Sequence, residues 1–106
     1  VVNDFMVVDR SFCSELFADM SFTLHWPVIY LYMDDMEPWE VGELIDDVYP
    51  ILYEVIPDIK LEVDGYRTYE EEYGGFLAHG ILKIDMQELS KDDLIFVKKV
   101  IFENMY

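Results

Sequence analysis

Positive charge is what this 106-residue sequence most lacks. Seven Lys and Arg stand against 23 Asp and Glu, for a formal charge of −16 at pH 7. Between Arg10 and Lys60 there is no Lys or Arg at all, although that interval holds eleven carboxylates. Such a surface repels phosphate backbones and anionic headgroups, so direct nucleic-acid binding and membrane adhesion are not expected.

Cysteine is nearly absent too. Cys13 is alone, which excludes an intrachain disulfide and a Cys-based zinc site and fits a reducing, cytoplasmic setting. The longest uncharged run, Met20 to Met33, contains His25 and Pro27 and falls short of the roughly 20 apolar residues a membrane span needs. The sequence opens without the basic n-region of a secretory signal or the arginine-rich pattern of an organellar leader. Ala and Thr occur twice each while Ile, Phe, Tyr and Met are abundant, a composition that argues against halophilic adaptation as the source of the charge.

Catalytic signatures are missing as well. There is no Gly-x-Ser-x-Gly, P-loop, His-Glu-x-x-His or paired Cys. His25 and His79 alone titrate near neutrality, and neither sits in a motif; structural roles are expected for both. Asp34, Asp35 and Glu37 offer hard oxygen ligands, but no EF-hand loop spacing surrounds them. No catalytic residue, cofactor or dedicated metal site is therefore assigned, and enzymatic activity is not expected.

What the chain does have is apolar residues: 53%, with 16% aromatic, enough to build one core and one domain over residues 1–106. Residues 1–8 read as a strand. Asp9 or Ser11 caps a helix through Met20, with Cys13, Leu16, Phe17 and Met20 on its apolar face. Ser21 to Met33 alternates with period two and reads as a strand apolar on both faces, bent or bulged at Pro27. Glu37 to Ile56 is the strongest helical pattern: Val41, Leu44, Ile45, Val48, Ile51, Leu52, Val55 and Ile56 share one arc. Pro50 lies opposite that arc, so a bend on the wet side is expected rather than a break. IKLEV, YRTYEEE and FLAHGILKIDM read as a meander with turns at Asp64-Gly65 and Gly74-Gly75. Ser90 caps a last helix whose apolar stripe is widened by Ile95, Phe96 and Phe102. The expected fold is α+β, a two-layer domain of mostly antiparallel sheet with about three helices, in the order βαβαβββα.

The candidate site is the acidic side of the 37–56 helix. Glu40, Glu43, Asp47 and Glu54 form a band with Trp39, Asp46 and Tyr53 at its edge. Like-charge neighbours at i+3 and i+4 each cost an isolated helix about 0.2–0.5 kcal/mol, so the band is a feature the fold tolerates rather than gains from. Glu70 and Glu72, in Glu70-Glu71-Glu72 with flanking tyrosines, form a second patch whose bland role is to keep a sheet edge from pairing. The expected function is a binding or inhibitory module that engages a basic protein or peptide surface, in the manner of a nucleic-acid mimic or an immunity protein. The alternative is a structural subunit or homo-oligomer without catalysis, in contact through the last helix or the Ile29–Met33 strand.

Overall fold

The computed structural model describes residues 8–105. The expected first strand therefore lies, apart from Val8, outside the described residues. Three helices and one four-stranded antiparallel sheet follow: α1 (Arg10–Leu16), β1 (Phe22–His25), β2 (Val28–Met33), α2 (Pro38–Val55), β3 (Leu61–Glu70), β4 (Gly75–Asp85) and α3 (Lys91–Met105). The fold is α+β, and the expected order is met in outline. The strands lie in the order β1-β2-β4-β3.

Asp9 caps α1, its Oδ1 accepting from the Phe12 amide at 2.8 Å. The helix ends at Leu16 rather than running on to Met20. Its last turn holds no basic residue to meet the free carbonyls. Lys98 of α3 supplies that charge from outside, donating to the Leu16 carbonyl and lying 3.2 Å from Asp19.

Ser21–Met33 is not one bent strand. Phe22–His25 and Val28–Met33 pair antiparallel, His25 against Val28, around a two-residue loop at Trp26 and a cis-linked Pro27. Folding back lets Ile29, Leu31 and Met33 be buried while the intervening tyrosines stay half-buried on the other face.

The meander is corrected in the opposite sense. Asp64-Gly65 makes no turn; β3 runs straight through it, and the chain reverses only after Glu70, with Gly74 at φ 66°. Gly65 serves close approach instead. A Cβ there would lie 2.7 Å from Pro38 Cγ, where the first turn of α2 rests on the sheet. Gly80, its neighbour on β4, is crowded by Val41 and by the Met36 and Glu37 carbonyls.

All three helices pack on one face of the sheet. Val41, Leu44, Val48 and Leu52 of α2 and Leu94, Val97, Val100 and Ile101 of α3 bury against Ile29, Leu31, Met33, Leu82 and Ile84. Each such side chain contributes about 1.5–3 kcal/mol on leaving water. Cys13 joins this core, its Sγ 3.9 Å from Met86 Sδ. Burial, then the Asp9 carboxylate, pushes its pKa up, with Arg10 opposing. α2 is unbroken at Pro50, which is exposed as the projection requires. Ile51 and Val55, however, remain 44% and 60% exposed, so the expected apolar arc is wider than the surface α2 covers. Among the described residues no helix is long and apolar enough to cross a membrane.

The opposite sheet face carries Tyr30, Tyr32, Tyr66, Thr68, His79 and Ile81, and no described helix packs on it. β4 pairs with β2 only over Gly80–Asp85. Gly75–His79 and Tyr66–Glu70 therefore continue as a two-stranded arm, about 17 Å long at 3.3–3.4 Å per residue.

Candidate binding trough

The segment Met33-Asp34-Asp35-Met36 links β2 to α2, crossing from the sheet to the helical layer. At its end Glu37 starts the helix. The Glu40 carboxylate accepts from the Glu37 amide at 3.0 Å, and Glu37 accepts from the Trp39 indole at 2.7 Å. Both interactions place negative charge at the positive end of the helix dipole. Pro38, in the first turn, has no N–H to leave unsatisfied.

Beside this link lies a cleft of about 580 Å³, within the size range of small-ligand and peptide sites. Its apolar floor is Met20, Met33, Met36, Met105 and Phe102, and its rim is Asp19, Asp34, Asp35 and Glu40. Four of the six methionines of the chain meet here. The cleft is continuous at both ends. Through Met36, Glu40 and Met105 it passes into a furrow between α2 and the end of α3, lined by Glu43, Leu44, Asp47 and Asn104. Through Ser21, Tyr32 and Asp34 it passes onto the open sheet face beside Tyr66 and Ile81. Among the described residues the whole trough is lined by six carboxylates and by no Lys or Arg. Lys98 stands behind one end, paired with Asp19.

A hydrogen-bonded set fixes the sheet end. The Tyr66 hydroxyl donates to Asp34 Oδ1 at 2.6 Å, and Tyr66 stacks on His79 at 4.8 Å between ring centroids. His79 lies 2.8 Å from Thr68 Oγ1 through Nε2 and 3.3 Å from the Asp34 carbonyl through Nδ1. Tyr32 meets Tyr66 edge-on and shares a hydrogen bond with Thr23. The Asp34 carboxylate raises the Tyr66 pKa above the ordinary tyrosine value, because ionisation forfeits this bond; burial and the nearby negative charge add to the effect. His79 is thus a packed, bonded member of the sheet, and His25 lies edge-on to Tyr30 on the same face.

The residues singled out from the sequence divide among three places. Glu40, Glu43 and Asp47 line the trough. Trp39, Asp46 and Glu43 line a shallow groove on the other flank of α2, against Leu61 and Val63 of β3, and Tyr53 and Glu54 stand exposed further along the helix. Glu70 sits at the far end of β3, on the face turned away from α2, and Glu72 in the turn beyond. The helical band and the second patch are not brought together. Unforeseen as binding residues were Asp19 and the four methionines, whereas Phe102 belongs to the wide stripe expected of the last helix; the one local signal was the run Met33-Asp34-Asp35-Met36, acids flanked by flexible apolar side chains. Among the described residues no group of three or more His, Cys, Asp or Glu is arranged to hold a metal ion.

Comparison with protein-family models, with curated proteins and with solved structures finds no match to this chain.

Proposed function

We propose that the protein is a binding module, inhibitory in effect, whose trough takes a basic and partly apolar segment of another protein. The observation that carries this reading is the pairing of a methionine and phenylalanine floor with a rim of six carboxylates unrelieved by any lysine or arginine. Methionine is flexible and polarisable and suits surfaces that accept varied apolar side chains. A carboxylate rim selects Lys and Arg flanking those side chains and speeds their encounter. An amphipathic helix or strand laid in the groove is the usual form of such recognition. The partner is thus a basic protein or peptide, and occupation of a basic site in place of its nucleic acid is the natural inhibitory consequence. The buried free thiol of Cys13 suits a cytoplasmic location for such a module.

The test is capture of partners from lysate on immobilised protein at low and at high salt, identified by mass spectrometry. The same capture is repeated with Asp35→Lys/Asp47→Lys, which line the trough and not the groove on the other flank of α2, and with Glu70→Lys/Glu72→Lys on the arm. A basic partner held at low salt, released by added salt and lost only with the trough variant is the expected result. A partner indifferent to salt, or one lost equally with both variants, overturns the reading.

A further inference from the structure

Strand β3 is an outer strand of the sheet, ten residues long. Its hydrogen-bonding groups alternate in direction. The Lys60 carbonyl accepts from the Asp85 amide at 3.2 Å, while the Gly80 amide turns away from Gly65 to the Met36 carbonyl at 2.7 Å. Even-numbered residues of β3 therefore bond to β4, and Leu61, Val63, Gly65, Arg67 and Tyr69 aim N–H and C=O outward. Among the described residues no strand pairs with that edge; the Gly65 amide is held only by the side chain of Asp64, at 2.8 Å. The same odd-numbered residues face the helical side of the sheet, as the contact between Gly65 and Pro38 requires. Large apolar groups lie exposed along both halves of this flank: Trp39, Tyr53 and Val63 at one end, Tyr69 and Phe76 on the arm.

We propose that a second copy of this chain covers the flank, with two β3 strands pairing antiparallel about a two-fold axis through Gly65. Residues opposite one another in an antiparallel pair share a face, so only registers that set odd against odd keep both helical layers on one side. Among these, an axis through Asp64 sets that residue against itself. An axis through Val63 opposes Glu62 to Asp64, one through Tyr66 opposes Glu62 to Glu70, and one through Arg67 opposes like charges at its centre. Over residues 60–70 the axis through Gly65 opposes no like charges. It sets Lys60 against Glu70, Val63 against Arg67, Leu61 against Tyr69 and Asp64 against Tyr66. Such cross-strand pairs are the stabilising unit of a sheet.

The register also carries charge complementarity into the helical layer. Val63 and Leu61 form one wall of the groove whose other residues include Trp39, Glu43, Ile45 and Asp46. Arg67 and Tyr69 of the second copy arrive at that wall. The Arg67 guanidinium, which rests over Phe76 at 5.9 Å from the ring centroid, is thereby brought to the acidic flank of α2, and the aromatic arm to its apolar residues. Each copy contributes the same patch, the isologous contact of a two-fold dimer. Apart from Glu43, which lines both, and Tyr66 on the outer strand, the residues of the trough lie away from this groove, so the dimer does not depend on the proposed partner.

The test is sedimentation velocity on the full chain across the micromolar range at low and high salt. The wild type is expected to be a dimer that tightens with added salt, because each copy carries −16 and screening relieves their repulsion. Arg67→Pro removes an outward N–H without touching the ladder to β4, a position where an outer strand tolerates proline, and is expected to weaken the dimer by about tenfold or more. Arg67→Glu, which leaves the backbone free to stay extended, is expected to weaken it likewise, with circular dichroism unchanged. Asp35→Lys leaves dimerisation intact. A wild type monomeric up to about 100 µM, where a specific interface of ordinary size is occupied, overturns the proposal. So does a dimer that survives both Arg67 variants.

Discussion

The Tyr66 hydroxyl donates to Asp34 across 32 residues of sequence, at 2.6 Å, and joins the outer strand β3 to the link that begins α2. Its proton is held more tightly in the folded chain than in the unfolded one, where tyrosine titrates near 10. Stability from this bond is whole below that value and is lost as pH climbs from it through the raised folded value. Asp34→Ala is expected to return the Tyr66 midpoint toward the ordinary one and to lessen the alkaline loss of stability. Ring-labelled tyrosine NMR reads the first and denaturation at several pH values the second; an unmoved midpoint means the bond is not made in solution.

Two glycines should respond oppositely to alanine. A Cβ at Gly80 would run into Val41 and meet two backbone carbonyls at 3.2 Å, so Gly80→Ala is expected to cost about 1–3 kcal/mol as overpacking. A Cβ at Gly42, inside α2, meets nothing within 4 Å, so Gly42→Ala is expected to add about 0.5–1 kcal/mol through helix propensity. Urea denaturation measures both, and equal signs would contradict the packing of α2 on the sheet.

Glu43 separates stability from binding. It has Glu40 at i−3 and Asp47 at i+4 as like-charge neighbours. Glu43→Lys turns two repulsions into attractions and is expected to stabilise the fold by about 0.5–1 kcal/mol. The same change is expected to weaken capture of the basic partner. A variant both less stable and unchanged in binding would show that the acidic band has neither of these effects.

Salt is expected to raise the unfolding temperature. Only three ion pairs relieve the excess of acid among the described residues: Lys83–Glu62, Lys98–Asp19 and Lys99–Glu103. Screening of the remaining repulsion stabilises the compact state. Calorimetry from low to physiological salt reads the shift, and a flat response would mean that the carboxylates are too far apart to repel.

The sequence by itself determined the elements whose signals are local. Pro38 marked the first turn of α2, Ser90 marked the start of α3, where it and Asp93 exchange bonds at 3.1 Å, and the apolar period placed Val41, Leu44, Val48 and Leu52 in the core. It also placed the acidic band on the wet side of α2, because a 3.6-residue period fixes which side chains share a face. Tertiary structure decided the rest. Gly65 reads as a turn until Pro38 is seen to rest on it, since glycine serves close approach as well as positive φ. The Ser21–Met33 strand becomes a hairpin because only a reversal gives Ile29, Leu31 and Met33 a covered face. The trough gathers Asp19, Asp34, Asp35, Met20 and Met105 from segments up to 86 positions apart. No periodicity reports such a meeting, because it is set by how helices and sheet pack and not by the order of residues along any one of them.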